Sequence, residues 1–196
     1  MGNPQHRRDH ILRVAQTLLE RCGFKATTIA EIAKAAGVSV GSVYLEFDSK
    51  DAIVRELSER CHHELLERMR GAAQRHGSEP EALQAALEAR VLGQHAHARA
   101  HPYAHELLDC HACDGVNRAA SECRPLENRL VSELLEQGAH SGAFELGDRA
   151  DVLAGTMLRL LDRLSPTHEK QLEGRSLERE VNRACELLIT GLRSRR

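Results

Sequence analysis

The chain of 196 residues is poor in aromatic residues and has no long apolar run. It contains no Trp, two Tyr and three Phe, so a large ligand pocket lined by aromatic rings is a poor fit to it. No segment approaches the roughly 18 consecutive apolar residues that a membrane-spanning helix needs. The first ten residues are polar and lack the apolar centre of a secretory signal peptide. We therefore expect a cytoplasmic protein, in which cysteines are thiols, metal ligands or sensors.

Two further absences concern secondary structure and catalysis. Alternating β-branched runs are missing, and the periodic segments have the helical period, so the chain is expected to be all-α. The motifs G-x-S-x-G, the P-loop and H-E-x-x-H are absent. A Cys-x-x-Cys pair is present at Cys110 and Cys113, but no strand precedes it as thioredoxin-like chemistry requires. We therefore expect a protein without enzymatic activity, and the alternative is a dithiol redox enzyme.

The N-terminal quarter of the chain contains the pattern of two short helices joined by a tight turn. Thr28 can cap the first helix while Glu31, three residues on, reaches back to the cap amide. Gly37 follows the last apolar position, where many helices end in a left-handed residue, and Ser39 can cap the next helix. The second helix begins at about Val40, and its first turn carries only small residues. Such a turn can lie close against the floor of the DNA major groove.

This run resembles the signature of the TetR/AcrR family of bacterial transcriptional regulators. The residues that carry the resemblance are Gly37, Val38, Ser39, Gly41, Ser42, Tyr44, Phe47, Ser49 and Lys50. Residues 11–24 are similar to the first helix of that family, and residues 138–144 to the loop before its last two helices. The resemblance implies an all-α fold, with an N-terminal helix-turn-helix three-helix DNA-binding domain over residues 1–48. A helical ligand-binding and dimerisation domain follows over residues 49–196.

The resemblance also implies roles for individual residues. Tyr44 and Lys50 hold phosphates, Thr28 anchors the DNA backbone, and the first turn of the second helix lies nearest the base edges. The expected DNA-binding residues are Thr28, Ser39, Val40, Gly41, Ser42, Tyr44 and Lys50. Relatives that touch DNA often carry His, Tyr or Arg at the positions of Leu45 and Glu46. A carboxylate facing phosphate is repulsive, so we expect Glu46 to point away from DNA or to pair with a base such as Arg55.

The charge of the chain adds little to the attraction for DNA. The formal net charge is -2, and residues 1–57 hold eight Lys or Arg against seven Asp or Glu. Binding to DNA must therefore come from a few specific contacts in each subunit and from the two DNA-binding helices that a dimer presents. Arg7 and Arg8 form either a mobile arm that enters the minor groove or a solvated tail.

Apolar positions at helical spacing predict six helices after the helix-turn-helix. A long helix from Asp48 or Ser49 ties the DNA head to the body. The six predicted ranges are 49–74, 81–98, a short helix from Pro102 to about Cys113–Gly115, 116–138, 150–164 and 176–192. Within 116–138, Pro125 must start a new segment or kink the old one.

The last two predicted helices are rich in apolar residues, and they either close the core of one subunit or form half of a four-helix dimer interface. We favour the dimer, because a single recognition helix with so little positive charge binds weakly, whereas a two-fold pair reads a palindromic operator. The expected interface residues are Leu153, Met157, Leu160, Leu161, Val181, Ala184 and Leu188.

Soft metal ligands are concentrated between His95 and Cys123. This segment holds eight of the eighteen His and Cys residues of the chain. The spacing of Cys110 and Cys113 lets two thiolates reach one soft cation such as Zn(II) or Cu(I), or an iron–sulfur cluster. The candidate metal ligands are Cys110, Cys113, Cys123, Cys61, His62 and His105. Two other interpretations remain open, namely thiols that sense oxidation and residues that are only structural.

These observations predict a DNA-binding transcriptional regulator, which in proteins of this resemblance is usually a repressor. An effector bound in the C-terminal domain would release or engage the DNA, because a ligand shifts an equilibrium only when it binds the two states differently. The effector is a soft metal ion or a thiol oxidant at the Cys/His cluster. Alternatively, it is a small organic molecule, and the Cys and His residues are structural.

Overall fold

The computed structural model describes residues 4–110, 112–166 and 175–192. Within these ranges the chain forms α-helices joined by turns and short 3₁₀ segments, and none of the described residues forms a strand, as the sequence predicts. The helices are α1 (Pro4–Ala26), α2 (Ile29–Ala36), α3 (Val40–Tyr44), α4 (Lys50–Ala73), α5 (Glu79–Ala100), α6 (Asp114–Ser141), α7 (Ala150–Leu161) and α8 (Arg175–Thr190), with 3₁₀ turns at Ala104–Leu107 and Asp162–Leu164. None of the helices in these ranges combines the length and apolarity needed to cross a bilayer.

The structure differs most from the predicted helices around Pro102. The helix expected to open there is only the 3₁₀ turn Ala104–Leu107. A physical reason is that the Tyr103 amide donates to the Glu20 carbonyl of α1 at 2.9 Å and not to a carbonyl of its own helix. Further on, α6 runs from Asp114 to Ser141 and contains Pro125 within a single helix.

The contacts within the chain divide it into two compact units, and their border differs from the predicted boundary after residue 48. The head unit comprises Met1–His62 and His97–Glu122, and the body unit comprises His63–Ala96 and Cys123–Arg196. Each of α4, α5 and α6 contributes to both units. The head unit extends past residue 48 because the first half of α4 supplies part of its apolar core.

The core of the head unit is formed by residues of α1 to α4, by Phe47, and by Leu107, Cys113 and Val116 further along the chain. Its buried members in the first four helices and just after α3 include Ile11, Leu12 and Ala15 of α1, Ile32 and Ala33 of α2, Val43 of α3, Phe47, and Ile53, Val54 and Leu57 of α4. Full burial of one side chain of this size contributes roughly 1.5–3 kcal/mol. The single buried residue of α3 is therefore a substantial anchor for a helix of only five residues.

The core of the body unit is aliphatic and is contributed by α4 to α8. Its fully buried residues include Leu83, Leu87, Val91, Val131, Leu135, Leu158, Leu161, Val181 and Cys185. Burial raises the pKa of the Cys185 thiol to about 12, so this thiol stays protonated and chemically inert at neutral pH.

A buried ion cluster lies in the same unit. Arg90 is 2% exposed, and its guanidinium donates to Glu127 at 2.7 Å and to Asp162 at 2.8 Å. Burial alone disfavours the charged guanidinium, but the two carboxylates outweigh it, and the pKa of Arg90 is raised above its usual value. Arg124 also pairs with Asp162, at 3.0 Å.

The predicted dimer interface requires a correction. Met157, Leu161 and Val181 are buried in the core of their own subunit, so they offer no surface to a partner. Leu153, Ala184 and Leu188 are half-buried against that core, and Leu160 is exposed. The error has a simple cause, because helical spacing identifies the apolar face of a helix and does not say what covers it.

Candidate nucleic-acid interface

Helix α2 begins with the predicted capping box. The Thr28 hydroxyl accepts a hydrogen bond from the Glu31 amide at 3.2 Å, and the Thr28 amide donates to the Glu31 carboxylate at 2.7 Å. Both bonds satisfy amides that the first turn of a helix leaves unpaired. The start of α2 is thus determined by residues only three positions apart.

The turn between α2 and α3 depends on Gly37. This residue has φ 67° and ψ 29°, and its amide donates to the Lys34 carbonyl at 3.3 Å. The Val38 amide reaches the Ala33 carbonyl at 3.0 Å, which completes a Schellman motif. A left-handed residue of this kind favours glycine, because a Cβ at that φ is strained.

Helix α3 is short, capped and exposed on one side. The Ser39 hydroxyl accepts from the Ser42 amide at 3.1 Å, as predicted for an N-cap. Val40, Tyr44 and Leu45 are 42%, 53% and 78% exposed, whereas Val43 is fully buried. The buried side chain anchors the helix and leaves the opposite side open to a partner.

The first turn of α3 carries a glycine, Gly41, that packing within the described part of the chain does not require. A Cβ added at Gly41 would meet only the Ser39 hydroxyl oxygen, at 3.8 Å. No close approach inside the described part of the chain therefore requires glycine at this position. A glycine that the fold does not need is consistent with close approach of an external surface such as the floor of a DNA groove.

Lys50 differs from its expected role. Its ammonium donates to the carbonyls of Phe24 and Thr27 at 2.7 and 2.8 Å, and it lies 3.8 Å from the centre of the Phe24 ring. An ammonium has three donors, so at most one remains for a phosphate. The structure assigns Lys50 chiefly to holding the end of α1, a use that the spacing of residues along the chain does not reveal.

Arg7 and Arg8 do not form a mobile arm. Both lie in α1, where Arg7 donates to Glu46 at 2.8 Å and Arg8 donates to Glu56 at 2.7 Å. Glu46 thus pairs with a base, as expected, but the base is Arg7 and not Arg55, which pairs with Glu59 and Glu122. The Arg7 pair gives the carboxylate beside Tyr44 a cation of its own and reduces its repulsion of phosphate.

Arg8 also joins α1 to the residues that follow α3. Its guanidinium lies 4.5 Å from the centre of the buried Phe47 ring. The hydrogen bond from Arg8 lowers the pKa of Glu56 below its usual value, although partial burial opposes the shift. The two N-terminal arginines thus brace the helix-turn-helix from within the subunit.

The structure also corrects the predicted metal-ligand set. Cys110 and Cys113 form a disulfide, with their Cα atoms 5.4 Å apart. The Cys61 sulfur lies 3.9 Å from the His97 ring nitrogen, which in turn lies 2.9 Å from the Ala104 carbonyl. Among the described residues, which do not include His111, no three His, Cys, Asp or Glu side chains are placed to hold a metal ion.

The remaining candidates are His62, His105 and Cys123. His62 is buried and His105 is half-buried, both in the head unit, whereas Cys123 is buried in the body unit. Two sulfurs joined to each other are not thiolates, so the pair is not a metal ligand in this state. Over the part of the chain that the structure describes, the concentration of soft ligands along the sequence does not become a metal-binding cluster in the fold.

Sequence reasoning missed a second contact that holds α1. Gly23 has φ 81°, and a Cβ there would lie 2.9 Å from the Tyr103 ring. The next amide, of Phe24, donates to the Glu106 carboxylate at 2.7 Å. The separation of about 80 residues along the chain gives no local signal for these contacts. They fix the position where Lys50 meets the end of α1.

The capped α2, the left-handed turn and the exposed α3 define a helix-turn-helix protein of the all-α class. Residues 11–57 match the family model described as bacterial regulatory proteins, tetR family. The repressor KstR2 from Mycolicibacterium smegmatis is 43% identical over 56 residues, which are 29% of this chain and 27% of that protein. The chain spans about a quarter of the length of the first curated relatives that it matches.

Similarity of fold extends over the whole chain. The fatty acid degradation regulator FadR from Bacillus halodurans has a TM-score of 0.71 at 21% identity, with all of both chains covered. The ketosteroid transcriptional regulator KstR2 of Mycobacterium tuberculosis has a TM-score of 0.60 at 20% identity, with 96% of each chain covered. Residues 11–57 thus match the helix-turn-helix segment of the tetR family, as the sequence predicts. These relatives are regulators and not enzymes, in agreement with the prediction.

Proposed function

We propose that the protein is a dimeric transcriptional repressor that acts in the cytoplasm on palindromic operator DNA. The observation that supports this proposal most is the outward side of α3. That side is exposed and carries small residues in its first turn, while the buried Val43 anchors the helix to the core. Each subunit would place the first turn of α3 in the major groove. Two such helices related by a two-fold axis would read two half-sites about one helical turn apart.

The contacts to DNA divide into phosphate and base contacts. Tyr44 is the exposed hydroxyl at the end of α3 and would donate to a phosphate. Val40, Gly41 and Ser42 would lie nearest the base edges, and Thr28 would meet the backbone from the start of α2. Lys50 contributes indirectly, by holding the end of α1.

A comparison of the two tyrosines of the chain tests this placement. Tyr44→Phe removes only the hydroxyl, and we expect roughly 10- to 100-fold weaker binding to every sequence, since one hydrogen bond to a charged group is worth roughly 1.5–3 kcal/mol. Tyr103→Phe is the matched control, because Tyr103 is also exposed but lies outside α3. Binding is measured by fluorescence anisotropy with an operator enriched from random duplexes, at several salt concentrations. Unchanged affinity in Tyr44→Phe, or affinity independent of salt, would contradict the proposal.

Base readout is tested separately. Ser42→Ala keeps the backbone amide that donates to Ser39 and removes the hydroxyl nearest the groove. We expect the order of preference among variant operators to change, whereas Tyr44→Phe should preserve that order. An unchanged order of preference in Ser42→Ala would place base recognition elsewhere.

We propose that the subunits associate through the exposed sides of α7 and α8. The large apolar residues exposed there are Val152, Leu160 and Leu187, of which Leu160 is 54% and Leu187 is 69% exposed. Leu153, Ala184 and Leu188 lie half-buried on the same two helices. Leucines left open on two helices of one unit fit the two-helix contribution of each subunit to a four-helix interface.

Light scattering of the purified protein tests this association. Leu160→Glu should produce monomers, because the dimer would bury an unpaired carboxylate. Leu45→Glu is the control, since Leu45 is exposed on the head unit and lies outside the proposed interface. A wild-type protein that is monomeric at micromolar concentration would remove the dimer from the proposal.

The second part of the proposed function is an effector bound in the body unit. Two of the structural relatives are a regulator of fatty acid degradation and a ketosteroid transcriptional regulator. The body core of this chain is aliphatic, which favours a small apolar organic effector over a soft metal ion. Operator release by fatty acyl or steroid compounds, with Zn(II) as the comparison, would distinguish these two classes of effector.

A further inference from the structure

The Cys110–Cys113 pair is part of the apolar core that supports the recognition helix. Cys113 is 1% exposed and belongs to the same buried cluster as Val43 and Phe47. Cys110 is half-buried and packs against that cluster. The Cys113 amide donates to the Cys110 carbonyl at 3.0 Å, so the two residues close a tight turn just before α6.

The start of α6 rests directly on the backbone of α4. A Cβ added at Gly115 would lie 2.5 Å from the Asp51 carbonyl oxygen and 3.0 Å from the Arg55 amide nitrogen. Only glycine permits this approach without a shift of backbone atoms. The residues that follow the disulfide therefore contact the first turn of α4, the helix that comes directly after α3.

The oxidation state of the pair changes the space that its sulfurs require. Bonded sulfur atoms lie roughly 2.05 Å apart, whereas heavy atoms without a bond stay about 3.5–4.0 Å apart. Protein interiors are close-packed and have little free volume to absorb such a change. Because Cys113 is enclosed, the separation of the two sulfurs on reduction falls on the half-buried Cys110, on the turn that joins the pair and on the neighbouring residues of the head core.

We propose that Cys110 and Cys113 are a reversible dithiol–disulfide couple that sets the operator affinity of the head unit. The disulfide form has the complete head core and binds the operator. The reduced form has a loosened contact between α6 and the first turn of α4, and it binds the operator more weakly. This inference rests on the proposed function, and it assigns redox regulation to a specific pair of residues in the helix-turn-helix unit.

The oxidant is a low-molecular-weight disulfide, RSSR. The more exposed Cys110, as its thiolate, attacks one sulfur of RSSR and releases RS⁻, which leaves a mixed disulfide on Cys110. The Cys113 thiolate then attacks the Cys110 sulfur and releases the second RS⁻. Two protein thiols are oxidised by two electrons, RSSR is reduced to two RSH, and the two protons of the protein thiols accompany them. In a reducing cytoplasm the pair stays reduced until RSSR accumulates.

Operator affinity in glutathione buffers tests the coupling. We expect the wild-type protein to bind about tenfold more tightly when oxidised than when reduced, with a mass difference of about two hydrogens between the two forms. The double variant Cys110→Ser, Cys113→Ser should bind like the reduced form under both conditions. Cys22→Ser is the matched control, because Cys22 is a free and exposed cysteine in the same unit, and it should keep the full response. Equal affinity of the two wild-type forms, or tighter binding by the reduced form, would overturn the proposal.

Hydrogen exchange separates this proposal from the proposed function. Reduction should decrease the protection of amides in the first turn of α4 and at the start of α6, whether or not DNA is present. Loss of protection in a protein that binds no duplex in either state would refute the repressor and the effect on operator affinity, and would leave only the redox change within the head unit. Unchanged protection in these two segments would overturn the couple.

Linkage supplies a quantitative check. If oxidation strengthens operator binding tenfold, operator DNA must stabilise the disulfide by the same factor. For a two-electron couple, tenfold corresponds to 29.6 mV, so saturating operator should lower the midpoint potential of the pair by about 30 mV. A duplex of unrelated sequence at the same concentration is the control. A potential that operator does not change would contradict a measured difference in affinity.

Discussion

The head unit and the body unit are each stabilised internally by a different kind of contact. In the head, single side chains satisfy particular backbone groups, as Thr28 does at the start of α2 and Lys50 does at the end of α1. In the body, aliphatic side chains fill a common core, and its buried charges pair with each other in the Arg90 cluster. The family model matches residues 11–57, all of them in the head, whereas similarity of fold covers the whole chain.

This difference explains why sequence similarity is concentrated in the head. A capping residue or a left-handed glycine has few substitutes, because the backbone group that it satisfies stays in place. An aliphatic core accepts other side chains of similar total volume. The body can therefore keep its fold while its sequence diverges, in line with the similarity of fold over the whole chain at about 20% identity.

The largest predicted effect is the loss of stability that follows when the ion cluster of the body is broken. Glu127→Ala leaves the buried Arg90 without its closest carboxylate, which lies at 2.7 Å, and should destabilise the protein by about 3–5 kcal/mol. Urea denaturation followed by circular dichroism measures this loss. The control is Glu67→Gln, which removes an exposed partner of Arg70 and should change little. A Glu127→Ala protein as stable as the wild type would show that other partners hold the Arg90 charge.

A smaller effect concerns the turn before α3. Gly37→Ala places a Cβ at φ 67° and should cost about 1–2 kcal/mol. Gly71→Ala makes the same change inside α4, where a Cβ meets no atom within 4 Å, and should stabilise by up to about 1 kcal/mol. Thermal unfolding of both variants therefore gives shifts of opposite sign. Equal shifts would mean that Gly37 is not held in the left-handed region.

The capping box is predicted to contribute less. Thr28→Ala removes the acceptor for the Glu31 amide and should cost about 1 kcal/mol. Thr17→Ala is the matched control inside α1, where the hydroxyl bonds only to the Arg13 carbonyl one turn earlier. Alanine is the better helix former there, so this control should not destabilise. Chemical denaturation compares the two, and similar losses would exclude a specific role for the cap.

The smallest effect is a dependence on pH. The pKa of Glu56 is lowered in the folded state, chiefly by the hydrogen bond from Arg8. This carboxylate therefore contributes stability that is fully present above its unfolded pKa and is lost as pH falls through the lower folded pKa. The difference in stability between wild type and Glu56→Gln should shrink as the pH falls below about 4.5. In an Arg8→Met background this difference should be smaller but still present, because Arg60 also donates to Glu56 at 2.9 Å and lowers its pKa; a difference of unchanged size would contradict the role of Arg8.

Much of the head could be predicted because its signals are local. The capping box, the left-handed Gly37 and the Ser39 cap each depend on residues within five positions of one another, so their types and spacing suffice. The long helix α4 was also predicted within about two residues at each end. The contacts of Lys50, Arg7 and Tyr103 were missed, because each joins residues more than 20 positions apart.

The amino-acid pattern was sufficient for the helical class, the helix-turn-helix and the resemblance to a regulator family, since these follow from helical period and from contacts between near neighbours. It could not assign partners to side chains that meet across the fold. Folding directed Met157 and Val181 into their own subunit and joined Cys110 to Cys113. The packing of distant segments decides which face of a helix is buried and which two thiols pair. Burial and disulfide formation both require residues to be neighbours in space, which the order of residues along the chain does not specify.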